Sequence, residues 1–138
     1  MKFTFALASL AVLASTAFAT DVRYDETYDN ANEPLADVAC SDGTNGLITK
    51  GFSTLGSLPS FPNVAAVQAI AGWNSPSCGT CWEVTYNGRS VLVTGVDHAG
   101  DGINMSLEAM NTLTNNQGVA LGTVSATVTQ VAASQCGL

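Results

Sequence analysis

The sequence predicts a mainly β domain: a small, disulfide-bonded barrel with short helices. Three observations carry that prediction. Strand-like runs dominate the second half, and two of them flank Asn87-Gly88, a dipeptide suited to a two-residue hairpin turn. No stretch has the length and amphipathic period of a long helix, which excludes a helical bundle and a doubly wound α/β sheet. Four cysteines stand in a short chain that opens with an export-type leader, and in such chains cysteines pair.

The leader comes first. Met1-Lys2-Phe3 supplies one positive charge, an apolar run continues to about Leu13, and Ala17-Phe18-Ala19 has the small-large-small form of a cleavage site. The apolar run is short for a membrane span and gives way to Ser15 and Thr16. Residues 1–19 therefore read as a signal peptide and residues 20–138 as one secreted domain, destined for the extracellular space or the cell wall. A chain of that size builds one modest core.

Charge narrows the partners. Eleven acidic residues oppose four basic ones, a net charge of −7, and removal of Lys2 makes the balance more acidic still. Nucleic acid is disfavoured, because its binding needs Lys and Arg to replace phosphate counterions. Anionic membrane surfaces are disfavoured for the same reason. A neutral polysaccharide suits this surface. Asp21, Asp25, Glu26, Asp29, Glu33, Asp37 and Asp42 crowd the start of the domain. They are expected to form a solvated, partly irregular arm.

Further along, Ser41-Asp42-Gly43 and Asn45-Gly46 mark tight turns. A short helix is expected from Val64 to Ile70, after Pro62 and Asn63. Residues 81–86 and 89–96 are expected to be the two hairpin strands. A second short helix is expected from Ser106 to Leu113, with Ser106 as N-cap and Glu108 in the first turn. Residues 123–131 alternate Thr and Val, the pattern of a strand with one apolar face.

Cys40, Cys78, Cys81 and Cys136 allow three pairings. Cys78-Gly79-Thr80-Cys81 has redox spacing, and a zinc site with His98 is conceivable, but both suit a reducing compartment. The leader favours two bridges instead, each from one of these close cysteines to a distant partner. No metal or other cofactor is expected.

Several segments resemble one family. They are Val38-Ala39-Cys40-Ser41-Asp42-Gly43, Thr54-Leu55-Gly56, Pro59-Ser60-Phe61-Pro62-Asn63-Val64, the long run from Ile70 through Gly72-Trp73-Asn74-Ser75-Pro76-Ser77-Cys78-Gly79-Thr80-Cys81-Trp82, Gly95-Val96-Asp97 and Gly102-Ile103-Asn104. Together they resemble the cerato-platanins, small secreted proteins of filamentous fungi. The resemblance implies a six-stranded double-psi β-barrel, like the first domain of expansins, with bridges Cys40–Cys78 and Cys81–Cys136. It implies binding of chitin oligomers or cellulose, loosening of wall material without hydrolysis, self-assembly at interfaces, and perception by plants as an elicitor through a surface receptor. The carbohydrate groove of the family maps onto Cys40, Ser41, Asp42, Gly46, Asp97 and Asn104.

The chemistry of these residues fits binding better than catalysis. Asp97 ends an apolar run before a Gly-rich loop, where a carboxylate can accept from sugar hydroxyls or from its own turn. Hydrolysis would need a second carboxylate across the bond, with Asp42 and Asp101 as candidates. No Gly-x-Ser-x-Gly elbow accompanies His98, which is expected to be a surface loop residue. Asn45, Asn74 and Asn104 offer amides to sugars, and Asn104-Met105-Ser106 is also a glycosylation sequon. Trp73 and Trp82 are expected to pack in the core beside the disulfides, leaving Tyr24, Tyr28 and Phe52 as exposed aromatic contacts. The chain is expected to be a binding protein and not an enzyme; the alternative is a glycoside hydrolase using Asp97 with a second carboxylate.

Overall fold

The computed structural model describes residues 16–138. Six strands form a barrel: β1 (Phe18–Tyr24), β2 (Val64–Val67), β3 (Cys81–Tyr86), β4 (Arg89–His98), β5 (Ile103–Met105) and β6 (Thr123–Val131). The barrel closes in the order β1-β5-β2-β4-β3-β6. The pairs β1·β5 and β2·β4 are parallel and the others antiparallel. Closure pairs both sides of every strand and leaves no free sheet edge. This is the mainly β barrel expected, and its mixed pairing suits the double-psi type that the resemblance implies. Helices α1 (Leu107–Thr114) and α2 (Gly118–Leu121) are short.

The hairpin forms where the sequence puts it. Asn87 and Gly88 both take positive φ, 48° and 76°, the backbone that matches the strand twist in a two-residue turn. Cys81 then lies opposite Thr94 and Tyr86 opposite Arg89. In β6 the buried side chains are Val124, Ala126 and Val128, while Thr123, Ser125 and Thr127 face solvent. Period-2 patterning and barrel curvature therefore agree.

Helix α1 also matches expectation. Ser106 Oγ accepts from Ala109 N at 3.0 Å. A second cap comes from far away in sequence: Asp29 accepts from the amides of Leu107 and Glu108 at 2.8 and 3.0 Å. Asp25 in turn accepts from Thr27 N at 2.9 Å and caps a 3₁₀ turn at Glu26–Asp29. The acidic N-terminal segment is solvated as expected, with Asp21, Asp25, Glu26, Asp37 and Asp42 exposed, but it is more ordered than a partly irregular arm. Part of it is strand β1, and two of its carboxylates cap helical turns.

The helix expected from Val64 to Ile70 is strand β2. All four of its residues are buried, and it lies between β4 and β5. Its apolar run has no polar face, so its periodicity does not separate a buried strand from a helix, and the flanking β-branched Val64 and Val67 favour the strand.

The expected leader lies mostly outside the described residues. Strand β1 begins at Phe18, so the expected cleavage point after Ala19 falls inside it. Phe18 faces Val128 in register and meets the Trp82 ring edge-on at 6.5 Å between centroids.

Two disulfides, Cys40–Cys78 and Cys81–Cys136, complete the scaffold. They have the connectivity implied by the resemblance and span 38 and 55 residues. The first ties the loop after Ala39 to the loop before β3. The second anchors the C-terminal segment to the start of β3.

Candidate functional site

Asp97 sits near the end of β4, half-buried. The register shifts between Ala65 and Ala66, where Val96 of β4 is the extra residue of a bulge, so that Ala66 lies opposite Asp97. On its other side Ala66 lies opposite Asn104, and Asn104 lies opposite Arg23 of β1. Residues in register on neighbouring strands share a face of the sheet. Asp97, Ala66, Asn104 and Arg23 therefore form one row across four strands. At a strand spacing of about 4.8 Å, Asp97 and Asn104 stand roughly 10 Å apart, with only the methyl of Ala66 between them. Arg23 continues the row and pairs with Asp101 at 3.3 Å.

Three donors fix the carboxylate of Asp97. Its Oδ1 accepts from the amides of Ala39 and His98, both at 2.9 Å. Its Oδ2 accepts from the hydroxyl of Tyr28 at 2.9 Å. An ionised carboxylate has about four lone-pair sites, which leaves about one for a ligand hydroxyl. Tyr28 is buried, and its own burial followed by the adjacent Asp97 charge raises its pKa above the ordinary phenol range. It stays a neutral donor.

The loop after Ala39 carries the rest of the expected groove. Cys40 N donates to Val96 O at 3.1 Å, which lays this loop against the end of β4. From Ala39 to Asp42 the chain spans three peptide links, which keeps Asp42 within about 11 Å of Ala39. Cys40 is fully buried and spends its side chain on the disulfide. The Ser41 carbonyl accepts from Ile48 N at 3.0 Å, and its hydroxyl points to Asp42 Oδ1 at 3.4 Å. Gly46 is there for space, since a Cβ would lie 2.1 Å from the Asp42 carbonyl oxygen and 2.2 Å from that of Ser41. Among the six expected site residues, Cys40 and Gly46 shape the loop, and Asp42, Asp97 and Asn104 carry its main polar side chains.

The aromatic residues sort differently from expectation. Trp82 is 6 % exposed and belongs to the core, as expected. Trp73 is 63 % exposed and does not. Its Nε1–H donates to Asp42 Oδ1 at 2.6 Å, and that hydrogen bond holds the Asp42 carboxyl below its usual pKa. Tyr28 is buried, and Tyr24 and Phe52 pack partly against the core, so none of the three is a free aromatic contact. Trp73 stands five residues before Cys78 and Trp82 directly after Cys81, and that closeness grouped the two. Its exposure follows from its loop, which Gly72 precedes and Asn74 leaves in a left-handed conformation with φ 58°.

His98 is exposed, as expected, but it is the last residue of strand β4 and not a loop residue. Its Nδ1 lies 2.7 Å from the carbonyl oxygen of Ile70. A carbonyl only accepts, so Nδ1 carries the proton. This bond ties the end of β4 to the segment leading to Trp73. Asn45 and Asn74 lock the two loops together: Asn74 Oδ1 accepts from Asn45 N at 2.9 Å, and its carbonyl from Asn45 Nδ2 at 3.0 Å. Both therefore serve the loop framework.

Asp101, one candidate partner for hydrolysis, is held by Arg23. Asp42, the other, is held by Trp73. The hydroxyl of the sequon residue Ser106 is fully buried and donates to Pro62 O.

A family model described as Cerato-platanin matches residues 20–138. Among curated proteins, the heat-stable 19 kDa antigen of Coccidioides posadasii is 45% identical over 126 residues, covering 91% of this chain and 84% of that protein. The crystal structure of cerato-platanin 3 from M. perniciosa superposes with a TM-score of 0.85 at 51% identity, covering 88% of this chain and 100% of that one. The solution structure of the fungal elicitor cerato-platanin gives 0.77 at 42% identity, covering 84% and 95%. An aspartate-to-asparagine mutant of the Clavibacter michiganensis expansin, solved in complex with cellohexaose, gives a TM-score of 0.60 at 16% identity. It covers 85% of this chain and 51% of that one, a likeness of fold alone.

Proposed function

The chain belongs to the cerato-platanin family, and from that premise we propose that it is a secreted, non-catalytic polysaccharide-binding protein. Its ligands are chitin oligomers or cellulose-type chains, and its action on a wall is loosening. The observation that carries this reading is the fixed polar row of Asp97, Ala66 and Asn104. It is preorganised, because Asp97 already accepts three hydrogen bonds and keeps about one acceptor site for a sugar hydroxyl. A preorganised acceptor loses little freedom on binding.

Each carboxylate near the row is tied to a protein donor, which suits holding a ligand better than moving protons across a glycosidic bond. Residues 1–19 direct secretion on this reading, and N-terminal sequencing of the secreted protein begins at Thr20. Two disulfides fit the oxidising route that secretion supplies. Host perception and activity at interfaces belong to the same reading. The relatives include proteins named as an antigen and an elicitor, and Ile48, Val119 and Leu121 are exposed apolar side chains.

The test is sedimentation with insoluble chitin and cellulose, with reducing ends assayed in the same tubes. The wild-type protein leaves solution with the polymer, the Asn104→Ala variant stays behind to a greater degree, and no reducing ends accumulate. Release of reducing ends that stops in Asp97→Asn would overturn the non-catalytic reading.

A further inference from the structure

Trp73 exposes 63 % of its surface, although large aromatics are highly buried on average. It is also fixed. Its indole N–H is used by Asp42 at 2.6 Å, so the ring has its faces left to offer. Beneath it lies Gly43 with φ 82°; a Cβ there would come within 3.1 Å of Trp73 Cζ2 and 2.7 Å of Asn74 Oδ1. Thr49 Oγ1 holds the Gly43 carbonyl at 2.6 Å. The paired bonds between Asn45 and Asn74 join the two loops, and Cys40–Cys78 bridges them covalently. An exposed aromatic face is thus held on a cross-linked base.

Its position relates it to the polar row in two ways. Asp42, three residues from the amide on Asp97, holds its edge. Ile70, three residues before it, is bound to His98, the neighbour of Asp97. We propose that the exposed face of Trp73 is a stacking subsite for one pyranose ring, and that it selects β-1,4-linked glucose or N-acetylglucosamine chains. This rests on the polysaccharide-binding reading and adds a residue and a selectivity to it.

The chemistry is direct. In these sugars every ring substituent is equatorial, so each flat face presents axial C–H groups. Those hydrogens are apolar and slightly positive, and they meet the negative face of the indole. A β-1,4 chain is extended, so one ring rests on Trp73 while its neighbours run along the row. An α-1,4 chain coils and cannot keep both contacts.

Two indole N–H resonances report on the question, one from Trp73 and one from Trp82. The ¹⁵N-labelled protein is titrated with cellohexaose, chitohexaose and maltohexaose. The Trp73 resonance is expected to move with the first two while that of Trp82 stays. Trp73→Ala is expected to weaken binding about three- to tenfold, the scale of one aromatic contact, with the Trp82 resonance unchanged as proof of fold. Trp73→Phe keeps a face without the N–H and retains most of the affinity. Shifts at Asp97 and Asn104 with a stationary Trp73 resonance would overturn the stacking subsite and leave the polysaccharide reading standing. No shift anywhere with any hexamer would overturn both. Equal shifts with maltohexaose would overturn the selectivity.

Discussion

Asp97 gathers donors from three places in the sequence: Tyr28, Ala39 and its neighbour His98. Asp97→Ala leaves the buried Tyr28 hydroxyl and two amides without their acceptor, and is expected to cost roughly 3 kcal/mol or more in a denaturation experiment. Asp97→Asn keeps both amide bonds on its side-chain oxygen and turns its NH₂ to Tyr28, whose hydroxyl rotates to accept. Its cost is expected to be about 1–2 kcal/mol, because charge-assisted bonds become neutral ones. Asp42 gives the pH prediction. The Trp73 N–H lowers its pKa in the folded state, so the clasp contributes above the ordinary Asp value and is lost as pH falls through the lowered one. Trp73 fluorescence is expected to change with a midpoint below about 3.9, the unperturbed Asp value, and the step should vanish in Asp42→Ala. Asp97 was a candidate from its place at the end of an apolar run and Asp42 from the family resemblance. The sequence did not separate Trp73 from Trp82, because both lie in the run that holds Cys78 and Cys81 and only the assembled loops put one indole outside and the other inside.

At the scale of elements, local patterns were legible where local chemistry decides. The Asn87-Gly88 hairpin, the Thr/Val strand β6 and the Ser106 cap of α1 are each specified within a few residues. Strand β2 was not, because an apolar run buried on every side reads alike as helix or strand until its neighbours β4 and β5 are known. Strands β1 and β5 gave little signal for other reasons: β1 carries one buried residue, Val22, and β5 has three residues in all, so both are defined by their neighbours. Asp29 was read as a solvated charge, yet it reaches the N-terminus of α1, 78 residues away. Asp29→Ala is expected to lower stability by about 1 kcal/mol, the usual worth of such a cap, while Asp29→Asn retains part of it. A thermal melt compares them, and an unchanged Asp29→Ala melt would contradict the capping role. The alignment of Asp97, Ala66 and Asn104 is set between strands as well, by the bulge at Val96 of β4.

For the whole molecule, closure and cross-linking support the site together. The closed barrel fixes the strand ends, and Cys40–Cys78 clamps the two loops that carry Asp42 and Trp73. Replacing both cysteines by Ala opens a loop of 38 residues and is expected to cost about 2–4 kcal/mol. The barrel should survive, with Trp82 still buried, while oligosaccharide binding falls more than in any single groove variant. The resemblance to one family was readable from the long Gly-Trp to Cys-Trp run, and it carried the fold and the disulfide pairing. The support of each site residue was not readable, because Asp97, Asp42 and His98 are all held by partners distant in sequence. On the proposed reading, the row beside Asp97 binds β-linked glycan without cutting it. The decisive experiment is backbone NMR of the protein titrated with cellohexaose and chitohexaose, followed by mass analysis of the sugar recovered from the tube. Saturable shifts at Ala39, Asp42, Asp97 and Asn104 are expected, with the hexamers recovered intact. Unmoved resonances at those four residues, or recovered sugar shortened to smaller oligomers, would contradict that reading.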